Sequence, residues 1–223
     1  MTQPNAAPSR VPAAGAPARA PLIHRVLRRP ARRVLERFFD FRVEGVEHLP
    51  AAGPYIVAAN HHNYLDGVVL TLALARPIAF IVMPRVYRAT PLHPFLHRHV
   101  GSIPINLERP DVGALRRALE RLRLGDVIGI FPEGPFSTRG RLEPGLPGVG
   151  LLALRSGVPV VPAGIRGTYE ALRGRRGHVP RRHPLSVRFG PPRRYSPDGL
   201  RGRRSNRLAV TQRVMDDVAA LLT

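Results

Sequence analysis

The sequence predicts a single α/β domain in which a mostly parallel or mixed sheet is covered by helices on both faces. Short apolar runs alternate along the chain with segments of helical periodicity, which is typical of repeated strand and helix units. Three of the predicted strands are apolar throughout, as expected for strands that are buried on both faces. A length of 223 residues with a hydrophobic fraction of 43% is sufficient for one such core.

The chain is predicted to divide into a flexible Pro/Ala-rich tail (residues 1–21), a basic amphipathic helix (residues 22–42) and an α/β domain (residues 43–223). We expect the helix to bend at Pro30. Its apolar residues recur at helical spacing: Ile23, Val26, Leu27, Val34, Leu35 and Phe38. Arginines occupy its other side: Arg25, Arg28, Arg29, Arg32, Arg33 and Arg37. The pattern fits a helix packed on the domain, and equally a helix lying on an anionic lipid surface.

Six strands and five helices are expected in the domain. The predicted strands are PYIVAAN, IAFIVM, GSIPIN, DVIGIF, VPVVPAGI and LSVRFG. The predicted helices are GVVLTLALA, PLHPFLHRH, DVGALRRALERLRLG, GVGLLALRSG and NRLAVTQRVMDDVAALL. We expect Asp111 to cap the third of these helices, Gly125 to end it, and Ser205 to cap the last.

The formal net charge is +20, and every basic residue that contributes to it is an arginine. Such a charge favours polyanions: nucleic acid, anionic lipid headgroups or an acidic carrier protein. Nucleic acid is not the expected partner, because aromatic residues make up only 6% of the chain and no zinc-finger or RNA-recognition motif is present. The chain has no cysteine, which excludes disulfides and thiolate metal sites.

A signal peptide and a transmembrane segment are not expected. The N-terminal tail has no apolar centre, and the longest apolar run is broken by Arg76 and Pro77. If the basic helix binds lipid, the protein is therefore expected to be peripheral, on the cytoplasmic face of a membrane.

The segment NHHNYLD, residues 60–66, directly follows a predicted strand. His61 and Asp66 lie about 140° apart on a regular helix, so they can meet only across a turn that leads from the strand into a helix. Ligands bind at the carboxyl ends of strands in such sheets, and the turn FPEGPF follows another strand. Taken alone, the pair is compatible with a histidine that acts as a general base and is oriented by a carboxylate. The alternatives are a capping Asp66 with a histidine that only satisfies backbone groups, and a metal site with His62, which adjacent histidines disfavour.

NHHNYLD, GSIPIN, FPEG and VPVVPAGI, in this order and spacing, resemble the four blocks of the glycerolipid acyltransferase family. The resemblance covers roughly residues 45–195. It implies an enzyme, without metal or cofactor, that transfers a fatty acyl group from acyl-CoA or acyl carrier protein to a lipid hydroxyl. His61 is then the general base and Asp66 the residue that orients it. No Ser or Cys nucleophile is required, and the chain has no G-x-S-x-G turn.

The resemblance also implies residues that bind the substrates. The acceptor-binding candidates are Glu133 and Gly134, which match the family pattern, together with Arg109 and Arg139, the arginines that follow the two positions where the family's own arginines are absent. The acyl-pocket candidates are Val158, Pro159 and Pro162. Backbone amides around Glu133 and Gly134, or a nearby arginine, are candidate donors to the oxyanion. Glu133 has an alternative role, holding its turn through hydrogen bonds to backbone amides, and the pocket candidates can equally be residues of a core strand.

Two positions depart from the family pattern. Leu107 replaces the arginine of the second block, and FPEGPFS has Pro135 and Phe136 where F-P-E-G-T-R-S is usual. Both missing arginines are ones that the resemblance assigns to phosphate recognition. The expected acceptor is 1-acylglycerol-3-phosphate, in phospholipid biosynthesis. The alternatives are a non-glycerophosphate acceptor, such as a glycolipid or another lysolipid, and a noncatalytic lipid-binding protein.

Overall fold

The computed structural model describes residues 22–83, 102–106, 111–173, 179–196 and 203–223. Its helices are α1 (Leu22–Phe39), α2 (Tyr64–Ala73), α3 (Val112–Arg123), α4 (Gly148–Ser156), α5 (Thr168–Leu172) and α6 (Arg203–Ala220). Its strands are β1 (Arg42–Glu44), β2 (Tyr55–Ala59), β3 (Ile78–Val82), β4 (Ile103–Pro104), β5 (Val127–Ile130), β6 (Val160–Arg166) and β7 (Ser186–Phe189). A 3-10 helix covers Val46–His48.

The seven strands form one sheet in the order β1-β7-β6-β2-β5-β3-β4. Every neighbouring pair is parallel except β6 and β7, which are antiparallel. The mostly parallel sheet that the sequence predicts is therefore confirmed. β2 lies at the centre, and all five of its residues are buried, because strands pair with both of its edges and helices cover both of its faces.

Two apolar clusters lie on opposite faces of the sheet. One contains Leu35 of α1, Val69 and Leu70 of α2 and Ala171 of α5. The other joins Ala118 of α3, Leu152 of α4 and Val214 of α6 to the alternate residues of the same strands. The alternation of side chains along each strand sends successive residues to the two clusters. Helices on both faces, as predicted, thus follow from central strands such as β2 and β5, which are buried at every position.

The parallel register places the ends of β2 and β5 at the same edge of the sheet. Ala58 of β2 pairs with Ile130 of β5, so the chain leaves both strands at one level. The segments that follow, NHHNYLD and FPEGPF, therefore meet at the carboxyl edge, where ligands of open α/β sheets bind.

Most predicted elements are present with shifted ends. Asp111 caps α3 by accepting the Ala114 N–H at 2.8 Å, as predicted, and Gly125 follows the helix with a φ of 89°. The predicted strand GSIPIN is only two residues long in the described part of the chain. The predicted helix PLHPFLHRH lies outside the described residues. α1 continues on both sides of Pro30.

Three features differ from the sequence prediction. β1 is an additional strand, which the polar segment RVE forms by pairing with β7 at the edge of the sheet. α5 is an additional short helix. Ser205 does not cap the last helix, because α6 begins at Arg203 and already includes it. Arginine is a good helix former, so the helix extends past the serine toward its N-terminus.

Among the helices of the described residues, none has both the length and the apolar composition of a membrane-spanning helix.

Candidate active site

Asn60 fixes the point at which β2 ends. Its side-chain amide is fully buried and forms two hydrogen bonds with the backbone of Ile165 in β6, one to the carbonyl oxygen at 2.9 Å and one from the N–H at 2.7 Å. The amide therefore pairs with β6 in the way that a further strand residue would. The main chain of Asn60 is free to turn away, and His61 is placed at the carboxyl edge of the sheet.

Asn63 and Asp66 begin α2 with a capping box. The side-chain oxygen of Asn63 accepts the Leu65 N–H at 2.9 Å, and Asp66 Oδ2 accepts the Asn63 N–H at 2.7 Å. Asp66 Oδ2 also accepts the His62 N–H at 2.6 Å. These bonds satisfy amides that an isolated helix end leaves unpaired, and they place a carboxylate at the positive end of the helix dipole.

The same Asp66 oxygen contacts the His61 ring, with Nδ1 and Oδ2 separated by 2.8 Å. The meeting of the two side chains across a strand-to-helix turn, as predicted from their spacing, is confirmed. Because Oδ2 accepts in its other two contacts, Nδ1 is best assigned as the protonated nitrogen. Nε2 then carries the lone pair, and it has no hydrogen bond to any described residue. This is the tautomer that a general base requires.

Aromatic side chains fix the plane of the His61 ring. Phe131 stacks on it with the ring centroids 3.7 Å apart and the planes 5° apart. Phe136 contacts the ring in an edge-to-face arrangement at 4.5 Å, and Tyr64 lies 4.7 Å from Phe136 in a similar arrangement. His61 is only 8% exposed. The candidate base is thus held in an apolar environment that admits little water.

Glu133 joins the turn after β5 to the turn after β2. Its Oε1 accepts the His61 N–H at 2.6 Å, and its Oε2 accepts the Glu143 N–H at 2.7 Å. A second bond between the turns runs from the Ser137 N–H to the His61 carbonyl oxygen at 2.8 Å. Burial raises the pKa of Glu133 to about 7, although the two backbone N–H groups lower it. Each carboxylate oxygen of Glu133 thus accepts one backbone N–H. This is the alternative role given above, in which Glu133 holds its turn.

The other acceptor-binding candidates lie in different environments. The Gly134 N–H donates to the Phe131 carbonyl oxygen at 3.0 Å, so it is not free to stabilise an oxyanion. Arg139 is exposed, and its guanidinium donates to both carboxylate oxygens of Glu143, at 2.9 and 2.7 Å. Arg109 and Leu107 lie outside the described residues. The structure thus brings Glu133 to the dyad, but Arg139 is engaged elsewhere.

The acyl-pocket candidates are not at the dyad. The Pro159 carbonyl oxygen accepts the Ile56 N–H at 2.9 Å, so Val158 and Pro159 lie at the amino edge of the sheet. His61 follows Ile56 by five residues, beyond the carboxyl end of β2, so it lies up to about 17 Å away at the usual rise of a strand. Pro162 is paired with Ala58 in the middle of the sheet. Val158 and Pro162 are buried and Pro159 is partly buried, and an acyl-binding role for the three residues stays a prediction.

Sequence reasoning overlooked Asn60, Asn63 and Phe131, and left His62 without a role. The N-x-x-D pattern of Asn63 and Asp66 resembles a capping box and could have been noticed. The pairing of Asn60 with Ile165 joins residues 105 positions apart, so no local pattern could have shown it. The His62 ring contacts the Tyr169 ring edge to face, with the ring centroids 5.7 Å apart.

Comparison with known proteins gives concordant matches. Residues 40–166 match the family model described as Acyltransferase. The chloroplastic 1-acyl-sn-glycerol-3-phosphate acyltransferase BAT2 of Brassica napus is 31% identical over 134 residues, which cover 59% of this chain and 38% of that protein. Lysophosphatidylcholine acyltransferase 1 of Danio rerio is 30% identical over 136 residues, covering 58% of this chain and 24% of that protein. This chain thus spans well under half the length of these two curated relatives.

A solved structure is similar over a greater length. The crystal structure of PlsC, the 1-acyl-sn-glycerophosphate acyltransferase of Thermotoga maritima, matches with a TM-score of 0.65 and 27% identity. The match covers 87% of this chain and 80% of that one.

The raised pKa of Glu133 predicts how stability depends on pH. Between pH 4.5 and about 7 the folded state binds the Glu133 proton more tightly than the unfolded state. The contribution of Glu133 to the free energy of unfolding is therefore full below pH 4.5 and is lost as the pH rises through about 7. Across this pH interval we expect the free energy of unfolding of the wild-type chain to fall by up to about 3 kcal/mol more than that of Glu133→Gln.

Urea denaturation of both proteins at several pH values measures this difference. Glutamine presents an amide NH₂ to one of the two backbone N–H groups, so the variant is expected to be less stable at low pH. The informative quantity is therefore how the difference in the free energy of unfolding between the two proteins changes with pH. A difference that does not vary with pH would contradict the prediction.

Proposed function

The chain belongs to the acyltransferase family, and on that premise we propose that it transfers a fatty acyl group from a thioester donor to the hydroxyl of a lysophospholipid. The observation that carries the proposal is the His61–Asp66 contact at the carboxyl edge of the sheet, with Nε2 left free. Lysophosphatidate, 1-acylglycerol-3-phosphate, is the first candidate acceptor, because it is the substrate named for the chloroplast relative and for the Thermotoga protein. Acyl-CoA and acyl carrier protein are both candidate donors, and the pathway is phospholipid biosynthesis.

In the proposed reaction His61 handles one proton. Nε2 removes the proton of the acceptor hydroxyl while its oxygen attacks the thioester carbonyl carbon. The tetrahedral intermediate then collapses, the carbon–sulfur bond breaks, and the leaving thiolate takes the proton back from the imidazolium. The products are the ester and the free thiol. Asp66 holds the tautomer through Nδ1 and stabilises the imidazolium while it exists.

His61→Ala tests this role. We expect turnover to fall by about 10²–10⁴-fold, the usual contribution of a general base, with the fold retained. The measurement is transfer of a labelled acyl group from acyl-CoA to lysophosphatidate, with circular dichroism and thermal unfolding to establish folding. His48→Gln is the matched control, because the His48 ring contacts the Phe189 carbonyl oxygen, away from the dyad, and glutamine can keep that contact. Retained activity in a folded His61→Ala protein would contradict the base role.

A second candidate keeps the acyl transfer and changes the acceptor to one without a phosphate next to the reacting hydroxyl. Phe136 favours it, because the ring of this residue lies against His61, where the family pattern has an arginine. Arg139, the next arginine in the turn, is held by Glu143. The FPEGPFS turn therefore places the Phe136 ring against His61, while Arg139 is paired with Glu143 and not with the dyad.

Phe136→Arg separates the two candidates. If Phe136 excludes a phosphate, the variant should raise kcat/KM for lysophosphatidate about tenfold relative to a neutral monoacylglycerol, which is the effect of one charge-assisted hydrogen bond. Phe136→Leu, which stays apolar, should leave the ratio near that of the wild type. A wild-type enzyme that turns over lysophosphatidate strongly and the neutral acceptor not at all would eliminate the second candidate.

We also propose that the protein binds peripherally to an anionic membrane surface, on its cytoplasmic face, through α1. Val26, Leu27, Val34 and Phe38 lie within one third of the circumference of α1 and are each more than half exposed. Leu35 alone among the apolar residues of α1 described from residue 26 onward is buried in the core. Exposed arginines lie along one edge of this stripe: Arg29, Arg33 and Arg37. An apolar stripe beside arginines suits the boundary between headgroups and acyl chains.

A single substitution tests this surface without removing Leu35 from the core. We expect Phe38→Asp to weaken cosedimentation with anionic phospholipid vesicles about tenfold or more, because it removes an exposed aromatic side chain that the lipid would bury and adds a charge that the anionic surface repels. Val112→Asp is the control, since Val112 is 67% exposed at the start of α3. Equal binding by both variants and the wild type would contradict the proposal.

A further inference from the structure

A cleft of about 520 Å³ opens on the other side of the turn that carries the dyad. It lies at the carboxyl end of β6, the strand next to β2. Its titratable lining is mostly basic: His62, Arg141, Arg166 and His183, with Glu170 as the acid among them. The dyad does not use this cleft, and the residues implied by the family resemblance do not line it.

His62 is the least satisfied of these side chains. Its ring nitrogens are both shielded from water and have no hydrogen-bond partner among the described residues. Its ring contact is the edge of Tyr169. A buried polar group without a hydrogen-bond partner destabilises the folded state, so the two free ring nitrogens need a physical explanation. A ligand in the cleft that accepts a ring N–H after a small rotation of His62 would supply one.

The two arginines retain donors for an anion. Arg166 donates from one Nη to a main-chain oxygen of Thr223, the last residue of the sequence, and it pairs with no aspartate or glutamate side chain among the described residues. Arg141 lies 3.9 Å from a Glu143 oxygen, but Arg139 already binds both oxygens of that carboxylate. A guanidinium presents five N–H donors in a planar fork, which matches the oxygens of a phosphate. The lining therefore combines charge with unused donors, opposed by Glu170 alone among its residues.

We infer that this cleft binds a phosphate-bearing group of one of the two substrates, with Arg166 and Arg141 supplying the charge and His62 a ring N–H. The inference rests on the proposed acyl transfer, in which lysophosphatidate, acyl-CoA and a phosphopantetheine carrier all contain phosphate. It also accounts for the turn FPEGPFS, since a phosphate held beside His62 does not need an arginine at position 136. The acceptor and the donor are the two sources of this group.

Inorganic phosphate is the first probe, with the His62 ring signals as the readout. The His62 signals among the nine histidines are identified by their absence in His62→Gln. On titration of the full chain with phosphate at constant ionic strength, we expect a saturable shift of the His62 signals that chloride does not produce. Arg166→Gln should weaken the apparent affinity about tenfold or more, the effect of losing a charge-assisted contact. A shift of the His62 signals that is no larger with phosphate than with chloride would overturn the inference.

Kinetics of the same variant assign the source. Arg166→Gln keeps an amide that can donate to Thr223, and Arg116→Gln removes an exposed arginine of α3 that is not in the cleft. We expect Arg166→Gln alone to raise KM about tenfold with kcat nearly unchanged. A rise for lysophosphatidate assigns the group to the acceptor, and a rise for acyl-CoA assigns it to the donor.

Two further outcomes separate this inference from the proposed function. If the wild-type chain catalyses transfer but Arg166→Gln changes neither KM, the cleft is not a substrate site, even if free phosphate shifts His62. If the wild-type chain transfers no acyl group, the proposed function fails, and the phosphate titration alone then decides whether the cleft binds phosphate.

Discussion

One oxygen atom, Asp66 Oδ2, holds the site in its shape. It accepts the backbone N–H groups of His62 and Asn63 and contacts Nδ1 of His61, all within 2.8 Å. The first two bonds begin α2, and the third orients the candidate base. Helix initiation and orientation of the base therefore cannot be separated at this position. The sequence left open whether Asp66 caps the helix or orients His61. Its carboxylate does both, since the same oxygen accepts the helix N–H groups and contacts the His61 ring.

The second constraint is the attachment of the β5 turn to the β2 turn. His61 donates its N–H to Glu133 and accepts from Ser137 through its carbonyl oxygen, so its backbone is fixed from the partner turn on both sides. Glu133 is nearly buried, and its second oxygen binds the backbone of Glu143. These bonds bring Phe131 and Phe136 onto the His61 ring. The identity of residue 136 consequently affects the surroundings of the base directly, although it lies in another segment of the chain.

The features that the sequence could predict are those that depend on local pattern. Continuous apolar runs identified the central strands, and Asp111 identified the start of α3. The spacing of His61 and Asp66, combined with the strand before them, was enough to predict their contact. Features that depend on pairing between distant segments were missed. The polar segment of β1 is a strand because it pairs with β7 at the edge of the sheet. The distance of Val158 and Pro159 from His61 becomes visible only from the parallel register of β6 and β2. The commitment of the Gly134 N–H to Phe131 likewise follows from the path of the turn.

The stacking of His61 on Phe131 has an entropic consequence. A histidine free to rotate would lose side-chain freedom each time a substrate was bound, and this loss would weaken binding or slow the reaction. Here the ring is already confined by Phe131, Phe136 and the bond to Asp66 before either substrate arrives. The side-chain entropy of His61 is therefore lost during folding and not again when a substrate binds. The free energy of substrate binding can then serve to align the hydroxyl with the thioester.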